Sequence, residues 1–275
     1  MTPDITSTAN ASVKAARKLQ QRKHRTDAGR CLVEGPRVLA AARPFLERVF
    51  VAEDAGGEAL DEARLAEAAG AQHVSVTPEV LATLADTATA RGVVGVAALP
   101  EPAPETALEG ARLAVLCVEV ADPGNAGAIV RTADAAGADV VVLSAASVDA
   151  RNPKAVRASA GSLFHLPVAS GAGAHETIAA AREHGLRVVA ADASGDVRHT
   201  EADLGAPTLL VFGGEARGLP DGVLEACDDV VRVEMFQGRR RGFEGAAESL
   251  NLAATAAICC FEAVRQRAPV PGRTP

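Results

Sequence analysis

A continuous apolar run, Thr208-Leu-Leu-Val-Phe212, breaks off directly into Gly213-Gly-Glu-Ala-Arg-Gly218. Apolar residues at every position, rather than every second one, fit a parallel strand covered on both faces. Parallel strands need crossover connections, usually helices. The chain supplies them: 113–120, 139–143, 166–169 and 186–191 read as strands, and 125–136, 153–161 and 175–184 as helices. This alternation predicts an α/β domain with a mostly parallel sheet. After Gly218 a short helix leads to the strand Val230-Val-Arg-Val233, and a long loop, 234–248, carries Arg239, Arg240 and Arg241. Ser249-Leu-Asn251 then opens an apolar helix that runs to about residue 265, with Ser249 as the expected cap. Two glycine-rich polar loops thus leave what read as neighbouring strands, at the sheet edge where ligands bind in open α/β folds.

The first 100 residues read as a smaller α/β domain, with strands at 30–34, 48–52, 73–76 and 92–97. Residues 101–108 lie in a proline- and acid-rich stretch that reads as a semi-rigid linker. The second domain then spans 109–267, and the proline-rich tail 268–275 is expected to be disordered. A net charge of −7 argues against a nucleic-acid partner only on average. Between Lys14 and Arg30 seven cations face one acid, Asp27, so this segment carries +6 and the remainder −13. A helix over 12–25 with Lys14, Arg17, Lys18, Arg22, Lys23 and Arg25 can track the phosphates of a polyanion. It offers no aromatic ring for stacking bases, so shape and backbone contacts are expected to dominate.

Other classes are disfavoured. Five cysteines without a C-x-x-C pair read as core residues in a reducing compartment, and six scattered histidines predict no metal site. The polar residues 1–10 lack a signal-peptide apolar region, and no apolar run approaches the roughly 18 residues that span a bilayer, so a cytoplasmic protein is expected. Gly171-Ala-Gly-Ala-His-Glu176, with Asp192 further on, imitates a dinucleotide fingerprint, but Glu176 stands where helix–strand packing requires a small residue.

Three motifs remain. Asn125 lies at the start of a helix, six residues before Arg131; it reads as a cap, and Arg131 as either a solvated charge or a phosphate-binding fork. The glycines of 213–218 permit close backbone approach to a ligand, with Glu215 among them. Ser249-Leu-Asn251 is the third.

Taken together, Asn125-Ala-Gly-Ala-Ile-Val-Arg-Thr-Ala133, Phe212-Gly-Gly-Glu-Ala-Arg-Gly-Leu219 and Glu248-Ser-Leu-Asn-Leu-Ala253 resemble the SpoU (TrmH-type) RNA ribose methyltransferases of the SPOUT superfamily. The first 100 residues resemble the family's ribosomal-protein-like RNA-binding domain. The resemblance implies a C-terminal trefoil knot, a homodimer with active sites near the subunit interface, and S-adenosyl-L-methionine as cofactor. It implies a catalytic cluster of Asn125, Arg131, Glu215, Ser249 and Asn251. It also implies cofactor contacts from Phe212, Gly213, Gly214, Gly218, Val233, Met235, Ser249, Leu250 and Leu252. The acceptor would be a ribose 2′-hydroxyl, in 23S ribosomal RNA first and transfer RNA second; a non-catalytic RNA-binding homologue is the other reading. One departure is Val233-Glu-Met235 in place of an Ile-Pro-Met type strand end, followed by a longer arginine-rich insert whose Arg239, Arg240 and Arg241 are expected to contact phosphate.

Overall fold

The computed structural model describes residues 3–85, 91–236, 247 and 249–268. In chain order its helices are α1 (Ala11–Lys18), α2 (Arg22–Ala28), α3 (Pro36–Ala42), α4 (Glu58–Ala68), α5 (Pro78–Ala82), α6 (Pro104–Ala107), α7 (Pro123–Ala135), α8 (Pro153–Ala158), α9 (Ala174–Glu183), α10 (Asp221–Glu225) and α11 (Leu252–Arg267). Its strands are β1 (Arg30–Glu34), β2 (Leu46–Ala52), β3 (Gln72–Val76), β4 (Val93–Ala98), β5 (Leu113–Val118), β6 (Val140–Leu143), β7 (Val168–Ser170), β8 (Arg187–Ala191), β9 (Val197–Arg198), β10 (Thr208–Gly213) and β11 (Asp229–Arg232).

The chain divides into two compact units, Met1–Glu101 with Asp149–Pro167, and Pro102–Val148 with Val168–Pro275. Helix α8, expected in the second domain, belongs to the first unit, where it packs on β1. The expected linker 101–108 contains α6, started by Pro104 at a position where its missing N–H costs nothing, and ends on the fully buried Leu108. Arg239, Arg240, Arg241 and the tail from 269 lie outside the described residues.

In the first unit the sheet order is β1-β4-β2-β3. Strand β4 runs antiparallel to β1 and β2, and β2 runs parallel to β3. Val13, Leu32, Phe50, Val74, Leu81 and Val94 fill its core. The basic segment is two helices rather than one. Asn10 caps α1 by accepting from the Ser12 N–H, and Val13 and Ala16 turn inward while Lys14, Arg17 and Lys18 stay exposed. Helix α2 exposes Arg22 and Lys23 but not Arg25, which corrects the expectation that Arg25 contacts RNA. Arg25 is 2% exposed; its Nε donates to Asp149 at 2.7 Å, and its Nη1 donates to the carbonyls of Leu19 and Gln20 at 3.0 and 2.8 Å. A guanidinium so enclosed ties α2 to the returning segment at Asp149 and is shielded from the solvent side where a phosphate would approach.

The second unit holds a seven-stranded sheet, β7-β6-β5-β10-β8-β11-β9, parallel throughout. Its core includes Leu116, Val142, Ile178, Val188, Leu209 and Val211. The chain builds outward from β5 through β6 to β7, then crosses to the other side for β8, so direction reverses beside β5 and β10. At such a reversal the connections diverge and leave a crevice at the C-terminal strand ends. Strands β10 and β11 are not neighbours, as their sequences suggest; β8 lies between them. The knot implied by the resemblance concerns a path that includes 237–246, outside the described residues.

The five cysteines are free, and all but the half-buried Cys227 are buried. Burial pushes the thiols of Cys31, Cys259 and Cys260 up to about 12. Among the described residues no helix is long and apolar enough to cross a membrane.

Candidate active site

A cavity of about 340 Å³ opens at the C-terminal ends of β8, β10 and β11 and reaches the start of α11. The loop after β5 stands beside it. Ser144 and Ser147 hold that loop: the Glu119 N–H donates to Ser144 Oγ at 3.0 Å, and the Val120 N–H to Ser147 Oγ at 3.2 Å. Glu119 adopts φ +54°, a left-handed conformation that costs a non-glycine residue on the order of 1 kcal/mol and is held by this surrounding structure.

The glycines after β10 serve this packing. A Cβ at Gly213 would overlap the backbone of Gly218, and one at Gly214 would overlap the Glu119 carbonyl. The turn can close, and lie against the β5 loop, only without side chains there. The expectation that these glycines clear space for a ligand is therefore incomplete, since their own chain occupies much of that space.

The closed turn aims Glu215 at the start of α7. Its Oε2 accepts from the Ala121 N–H at 3.1 Å, and its Oε1 accepts from the Asp122 N–H at 3.3 Å and from Asn125 Nδ2 at 2.7 Å. Asn125 Oδ1 in turn accepts from Asn251 Nδ2 at 3.1 Å. Each amide orientation is fixed by this order, because an ionised carboxylate only accepts. Partial burial raises the Glu215 carboxyl, but bonds from the Asn125 side chain and from the backbone N–H groups of Glu215, Ala121 and Asp122 outweigh it and hold it below the usual carboxylate range. Glu215 is thus a fixed negative charge at neutral pH.

Two caps differ from expectation. Asp122, not Asn125, caps α7, accepting from the Asn125 N–H at 2.9 Å, which frees the Asn125 side chain for Glu215. Asn251, not Ser249, caps α11, accepting from the Ala253 N–H at 2.9 Å. Asn251 therefore starts the helix with one side-chain atom and reaches Asn125 with the other.

Of the expected cofactor contacts, Gly213, Gly214, Gly218, Val233, Met235, Ser249, Leu250 and Leu252 line the cavity. Phe212 does not: its side chain is fully buried within the sheet layer. Of the expected catalytic residues, Glu215, Ser249 and Asn251 line the cavity, and Asn125 joins them by hydrogen bonds. Arg131 is exposed on α7, about 9 Å along the helix from Asn125, and takes part in no ion pair among the described residues. Asp192 and Thr255 also line the cavity and were missed as site residues. Thr255 was findable, since it lies one helical turn from Asn251. Asp192 was legible only as the acid of a dinucleotide imitation. Glu176 of that imitation accepts from the Gly173 N–H at 3.0 Å and caps α9.

The lining has two characters. Val231, Val233, Met235, Leu250 and Leu252 suit a flat heteroaromatic ring; Glu215, Ser249, Asn251 and Thr255 suit polar and cationic groups. Residues 112–261 match the SpoU rRNA Methylase family, and residues 10–95 match an MRM3-like substrate binding domain. The chain belongs to the SpoU rRNA methylase family. An uncharacterized tRNA/rRNA methyltransferase from Synechocystis sp. is 33% identical over 98% of this chain and 96% of its own. The Bacillus subtilis 23S rRNA (guanosine(2553)-2′-O)-methyltransferase RlmP is 30% identical over 94% of this chain and 97% of its own. The crystal structure of an AdoMet-bound rRNA methyltransferase from Sinorhizobium meliloti superposes with a TM-score of 0.81 at 30% identity, covering 96% of this chain and 98% of that one. Within this SpoU framework the Glu215–Asn125–Asn251 chain joins all three sequence motifs.

Proposed function

We propose that this SpoU-family chain is an S-adenosylmethionine-dependent methyltransferase that acts in the cytoplasm on a ribose 2′-hydroxyl of 23S ribosomal RNA. The observation that carries the reading is the hydrogen-bond chain from Glu215 through Asn125 to Asn251 at the mouth of a cavity with apolar and polar sides. The named activity of the Bacillus subtilis relative and the AdoMet-bound Sinorhizobium meliloti structure support it.

The bound cofactor supplies an electrophilic methyl group on a sulfonium sulfur. Val233, Met235, Leu250 and Leu252 would hold its adenine, and the Glu215 charge would favour the cationic end. Asn125 and Asn251, each locked by its partner, orient the acceptor ribose, and alignment is the main requirement of an in-line displacement. Arginine keeps its proton in proteins, so Arg131 is not the base. Its exposed fork grips the phosphate beside the acceptor, and the hydroxyl proton leaves to that phosphate or to water. Arg131→Lys keeps the charge and loses the fork, so turnover should fall about tenfold or more with little change in RNA affinity. Single-turnover kinetics alongside RNA titration checks this, and near-full turnover would remove Arg131 from the mechanism.

The first unit holds the RNA through Lys14, Arg17, Lys18, Arg22 and Lys23, all exposed. Replacing Lys14, Lys18 and Lys23 by Ala should weaken RNA binding at every sequence and reduce the slope of log K against log salt by about two to three. An unchanged slope would move the RNA elsewhere. The protein works as a homodimer; in the second unit Phe236 and Phe261, 57% and 48% exposed, offer apolar surface for a second copy. Transfer of labelled methyl to unmodified 23S ribosomal RNA, with transfer RNA alongside, tests the substrate. Label in the ribosomal RNA is expected, and label in transfer RNA alone would overturn the assignment.

A further inference from the structure

Asp192 is the first residue after β8, the strand between β10 and β11. Its loop therefore lies between the glycine turn after β10, which carries Glu215, and the apolar segment after β11, which carries Val233 and Met235. Its backbone anchors it to the second of these, the N–H donating to the Val231 carbonyl at 2.9 Å. Its side chain turns toward the first. Oδ1 accepts from the Ser194 N–H at 2.9 Å and from Ser194 Oγ at 2.7 Å. Oδ2 accepts no hydrogen bond among the described residues, and lies 3.3 Å from where a Cβ on Gly218 would stand. Asp192 and Gly218 both line the cavity.

An ionised carboxylate oxygen requires a donor. An S-adenosyl ligand offers donors in three places: the adenine amine, the ribose diol and the methionine ammonium. The sheet order separates them. Adenine suits the apolar segment beyond β11, and the sulfonium end suits the Glu215 side beyond β10, so the ribose lies between, beside the loop after β8. We infer that Asp192 is a specificity-determining residue that binds the vicinal ribose diol of the cofactor through Oδ2, with Ser194 holding the carboxylate in place. The inference rests on the S-adenosylmethionine reading above. It assigns a binding role to a residue outside the three motifs.

The test is calorimetric titration of the full chain and its Asp192→Asn variant, without RNA or turnover, using S-adenosylhomocysteine and 5′-methylthioadenosine. The second ligand keeps adenine and ribose and lacks the amino acid. Asparagine still accepts from Ser194, so an unchanged melting temperature is expected. Both ligands should lose affinity by the same factor, about tenfold or more. The 2′,3′-dideoxy form of 5′-methylthioadenosine should bind the natural chain about as much more weakly, and the substitution should cost it nothing further. If only S-adenosylhomocysteine weakens, Asp192 reads the methionine end and the inference fails. If the dideoxy ligand is weakened as much by the substitution as its parent, Asp192 does not read the diol. If the natural chain binds S-adenosylhomocysteine and Asp192→Asn binds it equally, the inference fails alone; if the natural chain binds neither ligand, the cofactor reading fails with it. The dideoxy comparison on the natural chain stands even where the variant does not fold.

Discussion

Glu215→Gln is expected to lower kcat about 10²–10³-fold while the protein stays folded. The carboxylate accepts from four donors, the N–H groups of Glu215 itself, Ala121 and Asp122 and the side chain of Asn125. Glutamine has one accepting atom and sets an NH₂ against the remaining donors. Asn125 then loses its fixed orientation, and Asn251, held to Asn125 at 3.1 Å, loses it in turn. A displacement of about 1 Å at the acceptor is enough for an effect of this size. The pH dependence follows from the depressed carboxyl of Glu215. A depressed folded pKa contributes its stabilisation above the ordinary carboxylate value, and loses it as pH falls through the folded pKa. Between about pH 6 and 9 Glu215 is ionised throughout, so the deficit of Glu215→Gln should be the same at every pH in that window. A variant near full kcat, or a deficit that grows across the window as for a titrating base, would contradict the positioning role.

Asp149→Ala is expected to destabilise the protein by about 3–5 kcal/mol. The Arg25 and Asp149 side chains are 3% and 9% exposed, and their Nε–Oδ2 distance is 2.7 Å. Removing the carboxylate leaves a guanidinium inside the first unit that keeps, among the described residues, its bonds to the Leu19 and Gln20 carbonyls. The cost is that of an uncompensated buried charge, not the worth of a surface pair. Denaturant melts should shift to lower midpoints, with little dependence on salt because the pair is shielded from solvent. Replacing both residues by apolar side chains of similar volume should recover much of the loss. A shift below about 1 kcal/mol would mean that Asp149 is not holding Arg25.

These two residues also mark what the sequence could and could not reveal. Thr208–Gly213 was legible as a buried parallel strand because both faces demand apolar side chains, and all seven strands of the second unit proved parallel. That β8 separates β10 from β11 was not legible, because strand order depends on crossover paths that leave no local pattern. Arg25 looked like the cations around it; its burial depends on Asp149, 124 residues away. The caps at Asp122 and Asn251 were misread for a subtler reason. Each lies within a few residues of another good capping type, and tertiary bonds decide which one caps. Asn125 is drawn to Glu215, so Asp122 caps α7. Asp192 lies outside the three family motifs, and the folded sheet brings it to the cavity.

The most direct test of the central claim is alkaline digestion of RNA that has received label from S-adenosylmethionine. A 2′-O-methyl group removes the hydroxyl that alkali needs to cleave the adjoining 3′ linkage. Label is therefore predicted in an alkali-resistant dinucleotide, and Glu215→Gln should remove it. Label recovered in mononucleotides would mean that the methyl group goes to a base, and would contradict an active site built to align a ribose hydroxyl.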